Sequence, residues 1–133
     1  MFKSNEIAAF FLLHGIHDEN DSVKYGDIFT KASEKIISLL RETEDDFRKD
    51  EEIQFDFYEV GKEFYGDNKN ELKLWFQHLY YTLYGTKSGA RWGMISNMLG
   101  VTAFCNLLEN RIANVMFIPV RDKGSYLEED YME

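Results

Sequence analysis

Between Asn70 and Tyr84 the residues Leu72, Trp75, Phe76, Leu79, Tyr80 and Leu83 recur every three or four positions. That spacing follows the 3.6-residue turn of an α-helix and leaves one face apolar for more than three turns. Such a segment has to lie against a core, and it limits the fold more than any other stretch of the chain. Its end is abrupt. Gly85, Gly89, Gly93 and Gly100 follow in quick succession, and each would cost roughly 1 kcal/mol inside a helix. They predict a stop after Tyr84, a loop, a short apolar helix over Ala90–Leu99, and a second stop. Thr86 and Ser88 are the natural N-cap candidates for that short helix. The corner so formed presents the Lys87 ammonium, the Arg91 guanidinium and the Trp92 indole beside several backbone N–H groups. That set suits a phosphate or a nucleotide base.

The remaining chain reads as further helices. Asn5 to about Ile16 forms the first, with Ser4 or Asn5 as cap and Ile7, Phe10 or Phe11, and His14 on related faces. Gly15 and Asp18–Asp21 predict a loop. Asp27–Asp45 forms the second helix, with Phe29, Ala32, Ile36, Leu39 and Leu40 inward, and Glu51–Phe64 the third, with Ile53, Phe57, Val60 and Phe64. Gly66-Asp67-Asn68 is a turn. Thr102–Asn114 forms the last helix, with Phe104, Cys105, Leu108 and Ile112 in register and Thr102 as cap. Pro119 is the only proline in 133 residues. Val115–Val120 reads as a short extended arm and Asp122–Glu133 as an acidic tail. The expectation is an all-α fold: a single helical domain of about six helices, its core spanning about 5–114.

Composition narrows the function. No run of 18 apolar residues exists, so a membrane span is not expected. The stretch Ile7–Leu13 is short, preceded by Glu6 and without a small-residue cleavage site, so it does not read as a signal peptide. Cys105 is the only cysteine, which fits a reducing cytoplasm and supports no disulfide framework. With three dispersed histidines, no metal site or cofactor is expected. The net charge is −9, which opposes generic nucleic-acid binding, because that binding is driven by phosphate neutralisation. The charge is segregated, however. Glu42–Glu59 holds nine acidic residues against Arg48 and Lys49, whereas Gly85–Arg121 holds Lys87, Arg91, Arg111 and Arg121 against Glu109 alone.

Four ordered pieces of the sequence form a familiar series. They are Glu52-Ile53-Gln54, Tyr58-Glu59-Val60-Gly61-Lys62-Glu63, Leu74-Trp75-Phe76-Gln77-His78-Leu79-Tyr80 and Ser88-Gly89-Ala90-Arg91-Trp92-Gly93. In order and spacing they resemble the C-terminal region of class I lysyl-tRNA synthetases over about Glu51–Ile112, roughly half the chain. The resemblance implies an all-helical, cage-like anticodon-binding domain with a tRNA-facing surface, and tRNA-Lys as the partner. It also leaves room for a catalytic synthetase chain or another protein as a second partner. Ala90 departs from the family's usual proline, and Val115 onward runs past the point where such synthetases usually stop. No ATP-binding signature of that family is present. His14-Gly15-Ile16-His17 echoes one, without the strand and the nucleotide-binding fold around it.

The tRNA-binding candidates are therefore Lys87, Ser88, Arg91, Trp92, Tyr84 and Tyr81. Each has a plainer reading. Arg91 fits a salt bridge to the 42–59 segment, and Trp92 fits the core between the fourth helix and the short one. Tyr81 and Tyr84 lie off the stripe or at the helix end, so they are better placed for stacking than Tyr80. His78 reads as a boundary residue. Glu59 and Glu63 are four apart, but with Lys62 between them they read as a solvated face. No catalytic residue is assigned. The alternative function, on the same fold, is an acidic protein-interaction module that has lost tRNA binding. Since no adenylate-forming signature is present, the purified protein is expected to give no lysine-dependent pyrophosphate exchange; measurable exchange would overturn that expectation.

Overall fold

A stripe of apolar side chains is stable only against another stripe, and the computed structural model shows how they are paired. It describes residues 3–43 and 47–115, which form six helices and no strand. These are α1 (Ser4–Leu13), α2 (Glu19–Glu42), α3 (Asp50–Phe64), α4 (Lys69–Tyr84), α5 (Trp92–Leu99) and α6 (Val101–Ala113). The all-α expectation holds, in a single helical domain. No helix of the described residues is long and apolar enough to cross a membrane. Residues 116–133, including most of the expected arm and the acidic tail, lie outside the described residues; Val115 is buried.

Helix α2 runs through the middle of the packing, touching α1, α3 and α6. Its residues Phe29, Ala32, Ile36 and Leu40 are fully enclosed. Helix α1 lies against it backbone to backbone. A Cβ on Gly26 would sit 2.6 Å from the Ser4 carbonyl oxygen and 2.9 Å from the Ala8 nitrogen. Only a glycine allows that approach. The cost of a mid-helix glycine is offset by the burial of Ile7, Phe10 and Phe11 beside it.

Two further contacts set the site. Helix α3 receives α4 over Gly61, where a Cβ would come within 2.7 Å of the Trp75 ring. The same indole donates its N–H to the Phe57 carbonyl at 2.9 Å. Helix α3 receives α5 over Gly93, where a Cβ would collide with the Asp50 carbonyl. The buried Gln54 amide oxygen accepts from the Gly93 N–H at 2.8 Å, so α3 supplies a cap for the start of α5. Asn97 completes the seam by donating to the Arg48 carbonyl at 3.0 Å and to the Asp50 carboxylate at 2.7 Å. Helix α6 then closes on α2, where Arg41 makes two hydrogen bonds to Glu109, at 2.8 and 2.9 Å.

The departures from the sequence reading are mostly at helix ends, and each has a cause. Helix α2 starts eight residues early, because Asp18 caps it by accepting from the Asp21 N–H at 2.8 Å. The acidic run expected to be a loop is thus a cap and first turn, where carboxylates suit the helix dipole. Lys3, not Ser4 or Asn5, holds the cap position of α1, and the Ser4 hydroxyl faces Asp27 at 3.4 Å instead. Helix α5 starts at Trp92 rather than Ala90, with Arg91 at its cap position. Thr86 and Ser88 do not cap it; the Thr86 hydroxyl donates to the Ser88 carbonyl at 2.9 Å within the loop. Gly100, not Thr102, holds the cap position of α6. In α4, Trp75, Leu79 and Leu83 are buried while Leu72 and Phe76 are half-buried at the edge. Likewise Phe64 is half-buried, and Tyr65, one residue later, takes the core position.

Leu79 is enclosed at the centre of α4. Replacing it by alanine is expected to cost roughly 2–5 kcal/mol of unfolding free energy. A denaturant titration showing a loss under about 1 kcal/mol would contradict its place in the core.

Candidate functional site

The corner between α4 and α5 is built from the last turn of α4. Gly85 takes the left-handed conformation, φ 71°, and its N–H donates to the carbonyls of Tyr80 and Tyr81 at 3.1 and 2.9 Å. That ends the helix and turns the chain outward. The Tyr80 ring then lies along the loop, and its hydroxyl donates to the Ala90 carbonyl at 2.6 Å and the Gly89 carbonyl at 3.2 Å. Gly89 leaves the ring room, since a Cβ there would come 3.0 Å from it and press it aside. Burial raises the pKa of the Tyr80 phenol, Tyr84 adds to the rise, and Arg91 opposes it. The phenol therefore remains a donor at neutral pH, and the loop stays strapped to α4.

The strap leaves Lys87, Ser88, Gly89, Ala90 and Arg91 exposed in one continuous run. Among the described residues no carboxylate lies within ion-pair distance of Lys87 or Arg91. The expected salt bridge from Arg91 to the 42–59 segment is thus not formed there. That segment satisfies itself locally, with Arg48 bound to Asp56 at 2.8 Å. Arg111 is directed elsewhere too, donating to the Leu83 carbonyl at 2.7 Å, where a cation suits the C-terminal end of α4. Arg121 lies outside the described residues.

The other candidates divide. Trp92 is wholly buried, and its indole is stacked 4.6 Å from the Tyr80 ring and 5.9 Å from Phe57, with Phe104 at 6.0 Å. An aromatic enclosed on these sides is a core residue and presents no face to a base. Its effect on the corner is indirect, since it fixes the start of α5 and therefore Arg91. Tyr84 is half-buried and lies parallel to Trp92, 6.1 Å away with 10° between planes. Tyr81 is half-buried and packed against the core. The corner thus brings Lys87, Ser88 and Arg91 together at the surface with Tyr84 behind them. It can bind phosphate oxygens by charge and base edges by the planar fork of Arg91. Among the described residues no group of three or more His, Cys, Asp or Glu side chains could hold a metal ion.

A second polar cluster lies inside the fold. His78 is not a boundary residue but is fully buried, between Phe11, Phe29, Tyr25 and Tyr65. Its Nδ1 lies 2.6 Å from the Tyr65 hydroxyl and its Nε2 lies 2.7 Å from His17 Nε2. One arrangement of protons satisfies the set. The Tyr65 hydroxyl donates to His78 Nδ1, His78 Nε2–H donates to His17 Nε2, and the His17 Nδ1–H is left towards the half-exposed side. His17 also stacks on Tyr25 at 4.7 Å, and Tyr25 on Tyr65 at 5.8 Å. The cluster ties the α1–α2 connection, α2, the end of α3 and α4 into one knot. The sequence shows these residues, but partners 61 positions apart leave no periodic signal.

Both imidazoles are held neutral. Burial lowers His17, against the pull of Asp21 and Asp18, while burial and the nearby His17 lower His78 from 6.5 to about 3. Between these values the unfolded chain binds a proton that the fold refuses, so stability is full above pH 6.5 and falls on acidification. The steepest loss from this ring is about 1.4 kcal/mol per pH unit. Denaturant titrations at pH 7.0, 6.0 and 5.0, values chosen about the ordinary histidine range, should show that decline. An NMR titration in which the His78 ring protonates near pH 6.5 in the folded protein would overturn the cause.

Compared with family models, curated proteins and solved structures, the chain matches none.

Proposed function

We propose that the chain is a noncatalytic tRNA-binding helical domain of the anticodon-binding type, acting in the cytoplasm and contacting RNA through the α4–α5 corner. The observation that carries this reading is the pair of exposed cations, Lys87 and Arg91, on a loop strapped to α4 by the Tyr80 hydroxyl. A loop whose backbone is already held has little backbone freedom left to lose on binding, so its contacts are worth more than those of a loose arm. Ser88 adds a hydroxyl in the same exposed run, and the half-buried Tyr84 at the end of α4 is the aromatic on which an unstacked base would settle. Trp92 supports the corner from within. Resemblance to class I lysyl-tRNA synthetases selects tRNA, and tRNA-Lys first, as the RNA. The same resemblance allows the domain to serve as a piece of a synthetase or beside a catalytic chain.

Lys87 and Arg91 have different work on this reading. Lys87 meets the phosphate backbone as a point charge, so Lys87→Ala should weaken all tRNAs alike and lower the salt slope by about one. Arg91 holds a fork at the start of α5, and a good bidentate pair to a base edge discriminates by roughly 1–3 kcal/mol. Arg91→Lys keeps the charge and loses the fork. It should narrow the difference in affinity between anticodon stem-loops more than it lowers affinity overall. Titrations at two salt concentrations test both expectations. Salt-insensitive binding by the wild type, or identical behaviour of the two variants across anticodons, would overturn the proposal.

A further inference from the structure

On the exposed side of α3, beside the α5 seam, the surface is aromatic where it should be polar. Phe47 is 99% exposed and Phe55 is 59% exposed. Together with Arg48, Glu51 and Glu52 they line a shallow concavity of about 580 Å³. Tyr58, one helical turn beyond Phe55, is also exposed and meets the half-buried Phe76 edge-on at 5.2 Å. Two phenylalanines left in water beside one hollow forgo several hundred square ångströms of apolar burial, the signature of a surface kept for a partner.

The charge around the hollow specifies that partner. Glu51 and Glu52 line it directly, and Glu59 lies two turns along from Glu51 on the same helix. The Arg48 guanidinium beside them is already bound to Asp56, at 2.8 Å. Lys62 is paired with Glu59 at 3.4 Å, and Lys49 is the cation left at the start of α3. An apolar floor with an acidic rim fits one class of occupant best.

We infer that the Phe47–Phe55 hollow is a docking site for a basic amphipathic helix, a partner with an apolar stripe flanked by lysine or arginine. Its apolar side chains cover Phe47 and Phe55, and its cations meet Glu51 and Glu52. Helix-in-groove recognition of this kind takes affinity from the apolar anchors, while the charges set association rate and choice of partner. The site shares no residue with the α4–α5 corner and its occupant is a protein, so it stands whether or not the corner binds RNA. If both hold, the domain joins a basic protein segment to an RNA.

The test uses fluorescence anisotropy with a labelled peptide carrying leucine at helical spacing and lysine elsewhere. Two controls replace every lysine by glutamate, or every leucine by serine. Wild type is expected to bind the first peptide and neither control. Phe47→Ser with Phe55→Ser should weaken binding at least tenfold, and Glu51→Lys should weaken it while flattening its salt dependence. All three substituted side chains project outward, so circular dichroism should be unchanged and tRNA titrations should match wild type. Equal binding to wild type and the double serine variant would overturn the inference. So would binding of the glutamate peptide, or a concentration-dependent self-association abolished by the serine variant, which would make a second copy the occupant.

Discussion

The packing of Trp92 is the constraint on which the rest of this structure hangs. A buried indole is the largest apolar surface a single residue can hide, and here it is enclosed by rings from three other helices, Phe57 of α3, Tyr80 of α4 and Phe104 of α6. Helix α5 has only eight residues, too few to hold helical form unaided. It persists because Trp92 and Ile95 anchor one side and because α3 supplies the hydrogen-bond partners its first turn lacks. Gln54 accepts from Gly93 and Asn97 reaches back to Arg48 and Asp50. The exposed corner is therefore a consequence of the interior. Arg91 stands where it does because the next residue cannot be anywhere else.

The same logic accounts for Ala90. A proline there would fix φ and ready the first turn. Alanine gives up that restriction, yet its carbonyl is the acceptor of the short hydrogen bond from Tyr80, 2.6 Å long. A tie to α4, and not a ring, is the source of rigidity here. Because the tie is made by a side chain ten residues earlier in the chain, it depends on Gly85 reversing the backbone and on Gly89 leaving room for the ring.

Helix existence and the inward faces were legible in the sequence, since Leu79, Ile36, Phe57 and Leu108 sit at regular spacings and regular spacing is what burial on one side requires. Helix starts were less legible, because a cap is decided by which group reaches the free N–H. Asp18 looked like loop composition until its carboxylate met Asp21, and Thr86 looked like a cap until its hydroxyl turned to Ser88. At the corner, Lys87, Ser88 and Arg91 emerged exposed as a glycine-rich loop predicts. Trp92 lies inside, as its plainer reading between the fourth helix and the short one has it, but its contacts with α3 and α6, far away in sequence, were not legible. The His17–His78–Tyr65 cluster was invisible for the same reason. Local pattern shows the stripe; it does not show what the stripe will meet.

Charge segregation bears on how an acidic domain would engage RNA at all. Two exposed cations release few counterions, so the electrostatic gain at the corner is small, with a salt slope of roughly two at most. Sequence-independent attachment to any phosphate chain is then weak. The outer side of α3, with Glu51, Glu52 and Glu59, repels a phosphate backbone over a distance of about 8 Å at physiological salt. An RNA that reaches Lys87 and Arg91 must do so without laying a duplex across that side. Protruding loops meet the requirement and long helices do not. On the proposed reading the net charge of −9 is thus part of recognition: repulsion elsewhere makes the two cations selective, and what little they add in affinity they return in the choice of shape.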